Sequence, residues 1–483
     1  MGLLWFRPAW LWPTAVSLLG LTLLIWLILR SQLPLNATFL PWSASGFLPD
    51  WTWHIDQTSW SLTLWLLLVN TAVALHTFLQ KPAIVEKPTA PASLLLLTAT
   101  TLSTIWSDGF TGALAGLTLL LVSWLAVLWL AGSRSNAFLF KGAVLLMGLL
   151  LAWPIGSSRT TLLAAALLLN IWPLPLWLPK STAPKTAVTI LASLLPPLMG
   201  SVLLIRLLPV AQLSPGVSLL LTVLGLVGFG RGIQLAWNRL HLPSYALTAV
   251  LLAQTHLLLL AAIWVGTAGV VAELRVLLLA GGTLYLLLAH PPRQKWLRIV
   301  PGGVALTALA GLPPTAGFAS RAGLYTAWLM DGRWALVLVL ALLHVPLIMA
   351  GVWLLTKPAE ADEPAPSSLL EWLREALPIF PTLGLLSVGN VLWDKVPALV
   401  WVALLATAVA GLFLPRFVGN AQTVRLTLRQ ALGAERPLAG KLPSLKQLGL
   451  GVQTAVNDAA DILDGDSGLL WLLLLAVIII LTG

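Results

Sequence analysis

The sequence contains no cysteine among its 483 residues. A chain without cysteine forms no disulfide, binds no metal through a thiolate and ligates no iron–sulfur cluster through sulfur. Charge is scarce too, because Asp, Glu, Lys and Arg together make up only 9% of the residues, whereas a soluble domain carries about 25%. These two shortages exclude thiol chemistry and argue against a soluble protein.

Apolar residues take the place of the missing charge. The chain is 58% hydrophobic, with a mean hydropathy of +0.93, and apolar runs of about 17–25 residues recur along it, long enough to cross a bilayer as helices. Tryptophan occurs 25 times, often near the ends of these runs, as is typical of membrane interfaces. The sequence therefore predicts an all-α, polytopic protein of about 14–16 transmembrane helices, which we expect in a bacterial cytoplasmic membrane.

The remaining polar residues indicate neither a nucleic-acid partner nor a catalytic centre. The formal net charge is +10, but the basic residues are scattered along loops and form no aromatic–basic patch. The sequence shows no metal-ligand spacing, nucleophile elbow or phosphate-binding loop. We therefore expect no nucleic acid, no metal, no cofactor and no catalytic residue of its own.

Composition divides the chain into five regions. Residues 357–375 are acidic and proline-rich, which predicts a surface loop that ends in a short helix, followed by a helix near 376–393. Apolar residues at helical spacing between Leu445 and Leu463 predict an amphipathic helix along the membrane surface or a neighbouring subunit; a solvated linker is the alternative. The expected regions are N-terminal transmembrane helices (1–90), a transmembrane core (91–356), the acidic loop with C-terminal helices (357–414), the amphipathic lateral segment (415–467) and a final transmembrane helix (468–483).

The most informative segment is GLPPTAGFASR, from Gly311 to Arg321. Two prolines inside an apolar run remove backbone donors, so a helix crossing here must be interrupted. In lipid, an interrupted backbone is tolerated only where protein or a water-filled cavity covers it, and a charge at membrane depth usually serves a function. The broken-helix motif comprises Gly311, Pro313, Pro314, Gly317 and Phe318.

This segment resembles GLPPxxGFxSK, which antiporter-like subunits of respiratory complex I, Mrp-type antiporters and membrane-bound hydrogenases carry at their twelfth helix. In that family the last position is a lysine or glutamate needed for proton transfer, and here it is Arg321. Other stretches resemble the family in the same order along the chain: His54–Ser59, Ser107–Asp108, Trp177–Pro179 with Ala183–Pro184, and Arg206. The resemblance implies a membrane subunit that works beside other polytopic subunits.

The departures from the family pattern are equally informative. The resemblance implies a central file of charged side chains, yet its glutamate position falls at Leu117 or Thr118 and its two lysine positions fall at Leu168 and Leu198. Proton relay needs groups that gain and lose protons near working pH. Leucine has no such group, and arginine stays protonated. The expected proton path is therefore degenerate.

Several polar groups within apolar runs remain as candidates for an ion path. His256 either titrates or hydrogen-bonds a neighbouring helix, and His344 precedes a proline that can free a carbonyl. Glu273 and Arg275 form either a local ion pair at the interface or part of a path, with Glu273 also a possible acid partner for Arg321. The candidates are Arg321, His344, His256, Glu273, Arg275 and Arg206.

Three functions fit these observations. The first is a membrane-arm subunit of a complex I-like or related redox-driven complex, acting as scaffold or coupling element. The second is an active proton- or sodium-translocating subunit with a rerouted path through Arg321, His344 and His256. The third is a stand-alone secondary transporter. In the first two, partners are other polytopic membrane subunits and the lipid bilayer, and any NADH:quinone oxidoreductase-like activity belongs to the complex.

Overall fold

The computed structural model describes residues 8–40, 51–79, 89–131, 158–171, 187–207, 213–240, 242–289, 291–356, 368–386 and 396–418. The helices in these ranges are α1 (Pro8–Leu29), α2 (Gln57–Leu79), α3 (Ala90–Trp106), α4 (Gly109–Ala131), α5 (Ser158–Leu168), α6 (Ala187–Leu207), α7 (Pro215–Asn238), α8 (Pro243–Trp264), α9 (Thr267–Ala289), α10 (Lys295–Leu309), α11 (Ala316–Met330), α12 (Trp334–Thr356), α13 (Leu369–Ala376), α14 (Ile379–Leu385) and α15 (Ala398–Val418).

Six of these helices are long and apolar enough to cross a membrane: α1, α2, α7, α8, α9 and α12. Shorter apolar helices lie within α3, α4, α6 and α15. A helix satisfies all its backbone hydrogen bonds internally, which is why it suits lipid. The prediction of an all-α, multi-pass membrane protein is confirmed.

Helices α8 and α9 form the axis of the bundle. Their most apolar windows are 89% and 83% buried, against 17% for α1 at the periphery. Helix α9 packs against α2, α6, α8, α10, α11 and α14, so a side chain on almost any of its faces meets another helix. Buried polar residues of these two helices, among them Gln254, His256 and Glu273, are therefore enclosed by protein rather than by lipid.

A β-hairpin interrupts the all-helical pattern and was not predicted. Strands β1 (Leu35–Leu40) and β2 (Trp51–Ile55) pair antiparallel. The hairpin is tied to the α3–α4 connection, since the backbone N–H of Asp108 donates to the carbonyl of Thr52 over 2.8 Å. Alternating aromatic and β-branched residues in β2 favour a strand, but the segment is too short to stand out between long apolar runs.

Two predicted helices are wrong in extent. The helix expected near 376–393 is instead short, because α14 begins after Pro378 and ends at Leu385. The helix expected over 160–178 ends at Leu168, where Asn170 adopts a left-handed conformation with φ of 60°. A left-handed residue cannot continue a right-handed helix.

Other predictions lie outside the described residues. These are the helix expected near 137–155, the lateral amphipathic segment beyond Val418 and the final helix over 468–482. The division of the chain into five regions stays an expectation. The interruption between α10 and α11, in contrast, is observed where the prolines placed it.

Asp56 and Ser59 fix the start of α2 at the membrane surface. The N–H of Ser59 donates to Oδ1 of Asp56 over 2.7 Å, and the N–H of Asp56 donates to Oγ of Ser59 over 2.8 Å. This reciprocal arrangement satisfies two helix-terminal donors. Burial acts to raise the pKa of Asp56, but the hydrogen bonds from Ser59 and the charges of Arg206 and His54 outweigh it and hold that pKa below its ordinary value of 3.8.

We expect Asp56→Ala to lower the free energy of unfolding by about 1 kcal/mol at neutral pH, as loss of an N-cap usually does. Because the native pKa is lowered, this stabilisation is present above the ordinary value of 3.8 and is lost as pH falls through the native value. Thermal melts of the purified protein should therefore show the wild-type advantage shrinking as the pH falls below 3.8. Asp331→Asn, which changes an exposed acid, is the control. A difference in stability between wild type and Asp56→Ala that did not change with pH would contradict the electrostatic contribution of Asp56.

Candidate functional site

The helix break between α10 and α11 positions the candidate site. Helix α10 ends at Leu309, Gly311 turns the chain with a φ of +72°, and α11 begins at Ala316. A Cβ at Gly311 would collide with the side chain of Arg321, and one at Gly317 would collide with the carbonyl of Ala308. Glycine at both positions therefore lets the two half-helices approach and leaves room for the arginine.

Arg321 lies at the centre of the site and is fully buried. Its Nη1 forms an ion pair with Oε1 of Glu273. Its Nε donates to Nε2 of His344 over 3.0 Å, and its Nη2 donates to Oε1 of Gln254 over 3.3 Å and to the carbonyl of Leu309 over 3.4 Å. One guanidinium thus joins five consecutive helices, α8 to α12.

Gln254 bridges the two charges. Its amide nitrogen donates to Oε2 of Glu273 while its amide oxygen accepts from Arg321. The amide nitrogen donates and the amide oxygen accepts, so only one orientation of the amide fits these two partners. Glu273 and Gln254 are each 0% exposed, so this bridge is enclosed by protein on all sides.

His344 is held in one neutral form. Its Nε2 accepts the hydrogen from Arg321, which can only donate. Its Nδ1 therefore carries the proton and donates to the carbonyl of Leu340 over 2.9 Å. The ring also packs against Phe229, with ring centroids 4.9 Å apart. Protonating Nε2 would place two donors face to face, so this histidine orients the guanidinium and adds no charge to the site.

Two other predicted candidates lie away from Arg321. His256 is one of them: its Nδ1 bonds the carbonyl of Leu252 over 2.8 Å, and its ring packs against Gly228 of α7. Arg206 is the other, and it donates to the carbonyls of Ser107 and Ile105 at the end of α3, over 2.8 Å and 3.4 Å. Arg206 therefore completes a helix end.

The interpretation of Glu273 and Arg275 as a local ion pair is wrong. Glu273 pairs with Arg321, whereas Nε of Arg275 donates to the carbonyl of Gly384 over 2.8 Å. The Arg275 guanidinium also lies 5.1 Å from the centre of the Trp65 ring. Side chains two residues apart on a helix do not face each other, so α9 directs the two charges to different neighbours.

Apolar packing fills the positions where the resemblance implies charge. Leu117, Leu168 and Leu198 are 0%, 1% and 1% exposed. The hydroxyl of Thr118 donates to the carbonyl of Leu114 within its own helix, over 2.8 Å. No group at these positions can carry a proton along a file, and exclusion of water from this layer stays a prediction.

Sequence reasoning missed the role of Gln254. It also did not identify the carbonyl of Leu309, at the end of α10, which accepts from Arg321. Gln254 could have been found by its position, since an amide in the middle of an apolar run is costly in lipid unless it is paired. His256, two residues later, was the predicted candidate on this helix instead.

We expect the Arg321–Glu273 pair to show strong coupling in a double-mutant cycle. Glu273→Leu or Arg321→Leu alone leaves a buried charge without its partner and should cost roughly 3–5 kcal/mol of unfolding free energy. The double variant should cost less than either single change, because no unpaired charge remains. Denaturant titration of the purified protein measures all three.

The exposed pair Asp331–Arg333, with a distance of 3.7 Å and side chains 50% and 40% exposed, is the matched control. Its cycle should show little coupling because water screens both charges. If the double variant lost as much unfolding free energy as the two single variants together, Glu273 and Arg321 would not be coupled, and this would contradict the buried ion pair.

No protein-family profile and no curated protein sequence matches the chain. Solved structures do match. A chain of the Mrp complex from Dietzia sp. DQ12-45-1b has a TM-score of 0.65 and 16% identity, over 98% of this chain and 59% of that chain. The chain thus spans less than two thirds of the length of that relative.

Two further structures have similar chains. One is the membrane-bound sulfane sulfur reductase, an archaeal respiratory membrane complex, with a TM-score of 0.58 and 14% identity over 97% of this chain and 95% of that chain. The other is respiratory complex I from Thermus thermophilus with bound NADH, with a TM-score of 0.62 and 19% identity over 85% and 96%. The chain therefore shares its fold with a chain in each of these three complexes, which agrees with the resemblance seen in the sequence.

Proposed function

We propose that this protein is a membrane-arm subunit of a multi-subunit, ion-translocating complex, in which it acts as a scaffold or coupling element. The fold supports the first part, since it is shared with chains of the Mrp complex, the sulfane sulfur reductase and complex I. The observation that carries the second part is the fully enclosed Arg321–Glu273 pair at the helix break.

A fixed pair is poorly suited to passing protons. Arginine stays protonated at any working pH, and His344 already uses both ring nitrogens in hydrogen bonds that fix its neutral form. Relay requires groups that load and unload protons in turn. Packed leucines stand at three further positions of the expected file, so the chain has no continuous series of titratable groups there.

The same pair is well suited to holding helices in register. It joins α9 to α11 directly, and its hydrogen bonds reach α8, α10 and α12. Breaking a buried pair is costly because the remaining charge is left in a medium of low dielectric. A displacement of any one of these helices is therefore resisted by all of them, which supports a mechanical role within a larger assembly.

One observation favours the alternative, an active translocating subunit. Glu273 is a titratable acid, enclosed in the membrane part of the chain and in contact with Arg321 and Gln254. If it exchanged protons, Arg321 would act as a fixed electrostatic gate beside it, with His344 and His256 as further groups. The experiments below separate the two functions.

We expect Arg321→Leu to reduce the yield of the assembled complex strongly, with Arg321→Lys retaining more because the charge beside Glu273 is kept. The pH dependence of ion pumping per intact complex should be unchanged, since arginine does not titrate in range. Co-purification of the other polytopic subunits and proton uptake in proteoliposomes measure the two effects. A fully assembled Arg321→Leu complex that no longer pumps would establish the alternative.

We expect Leu168→Lys to destabilise the protein without creating transport. Leu168, the last residue of α5, is 1% exposed, so a lysine there would bury a charge without a partner, which costs several kcal/mol. Leu168→Met, which keeps an apolar side chain of similar volume, is the control. Thermal unfolding and proton flux into vesicles are the measurements, and a stable lysine variant with new flux would show that the degenerate path is readily restored.

A further inference from the structure

Arg275 is a charged residue at hydrocarbon depth that the proposed function does not use. It is the ninth residue of α9, a helix of 23 residues, so it lies about 12 Å along the axis from the helix start. The hydrocarbon core of a bilayer is about 30 Å thick. A charge at this depth is costly unless something compensates it.

Among the described residues, Arg275 contacts no carboxylate. Its Nε and Nη2 both donate to the carbonyl of Gly384, and its guanidinium lies over the ring of Trp65. The ion pairs of the described ranges involve Arg293, Arg321 and Arg333 instead. A carbonyl and an aromatic face satisfy donors but supply no full negative charge, so no described residue neutralises the charge of Arg275.

Helix α14 holds Arg275 at the edge of the bundle. Helix α14 packs against α9, and three contacts hold α13 and α14 beside α9 and the segment that follows it. Arg293, just beyond α9, lies 3.5 Å from Glu371 and 3.6 Å from Glu375. The hydroxyls of Thr283 and Thr382 are 3.3 Å apart, and the Arg275–Gly384 contact forms the third tie.

The outer side of α14 is apolar and open. Phe380, Leu383 and Leu386 are 49%, 61% and 43% exposed, and the guanidinium of the partly exposed Arg275 meets the same short helix at Gly384. These four residues are called the α14 face below. The face combines an apolar surface with one uncompensated positive charge at membrane depth.

We propose that the α14 face docks a transmembrane helix of a neighbouring polytopic subunit, and that this helix supplies an Asp or Glu carboxylate to Arg275. The proposal rests on the proposed function, which requires such neighbours. Charge complementarity selects an acid. The depth of Arg275 along α9 favours a protein carboxylate over a lipid phosphate, because phosphate headgroups lie at the bilayer surface, outside the hydrocarbon core. The exposed Phe380, Leu383 and Leu386 provide the packing that a helix needs beside the ion pair.

The first experiment removes the charge in the assembled complex. Arg275→Gln should reduce co-purification of the neighbouring subunit at least about tenfold, because its acid is left buried and unpaired, whereas Arg275→Lys should retain most of it. Arg298→Gln is the matched control, since Arg298 also donates to a backbone carbonyl, that of Leu355, but lies one turn from the start of α10. Unchanged assembly in Arg275→Gln would overturn the proposal.

The second experiment identifies the partner helix. Because the chain has no cysteine, Leu383→Cys carries the subunit's single thiol for a photo-crosslinker, and Leu342→Cys on α12, at a position 63% exposed, is the matched control. Leu383→Cys should crosslink to a membrane helix with an Asp or Glu within one turn. Arg275→Glu combined with the reciprocal change of that acid to Arg should restore assembly.

Three outcomes separate the two proposals. Crosslinking of Leu383→Cys only to lipid, or to an acidic segment of this chain itself, would overturn the docking proposal. A complex that assembles normally when Arg275 is replaced would also overturn the docking proposal, but it would leave the proposed function in place. A wild-type protein that co-purifies with no other polytopic subunit would overturn the proposed function itself.

Discussion

The ion pair between Arg321 and Glu273 is the interaction on which the arrangement of α8 to α12 depends. A single charge enclosed at this depth would be costly, but together with Gln254, His344 and the Leu309 carbonyl the pair uses its hydrogen-bonding groups within the protein. The helix break makes this possible, because Gly311 and Gly317 let α10 and α11 approach closely enough to admit the arginine. Removing either charge would leave the other without compensation.

Enclosure by protein is the second property of this site. The side chains around Arg321 are neutralised, oriented by short-range contacts and almost fully buried. Leu117, Leu168 and Leu198 extend the same character across the bundle, with apolar packing in place of groups that attract water. Around these positions the bundle is therefore packed with side chains that do not ionise.

Much of the fold could be predicted from the sequence. Long apolar runs delimit α9 and α12 to within a residue, and the prolines locate the break before Arg321. Even His344 and Glu273 could be predicted as its neighbours, because few polar groups exist in these runs to choose from. The hairpin, the early end of α14 and the bridging Gln254 could not, since they depend on contacts between segments distant in the chain, such as the 67 residues between Gln254 and Arg321.

The two charges of α9 also constrain the order in which the chain can be assembled. Helix α9 is synthesised after Gln254 and Trp65 but before Arg321, which lies two helices later. On leaving the ribosome, this helix therefore carries an acid whose charged partner has not yet been made. The Arg321–Glu273 pair can form only after α10 and α11 have followed α9 into the bundle.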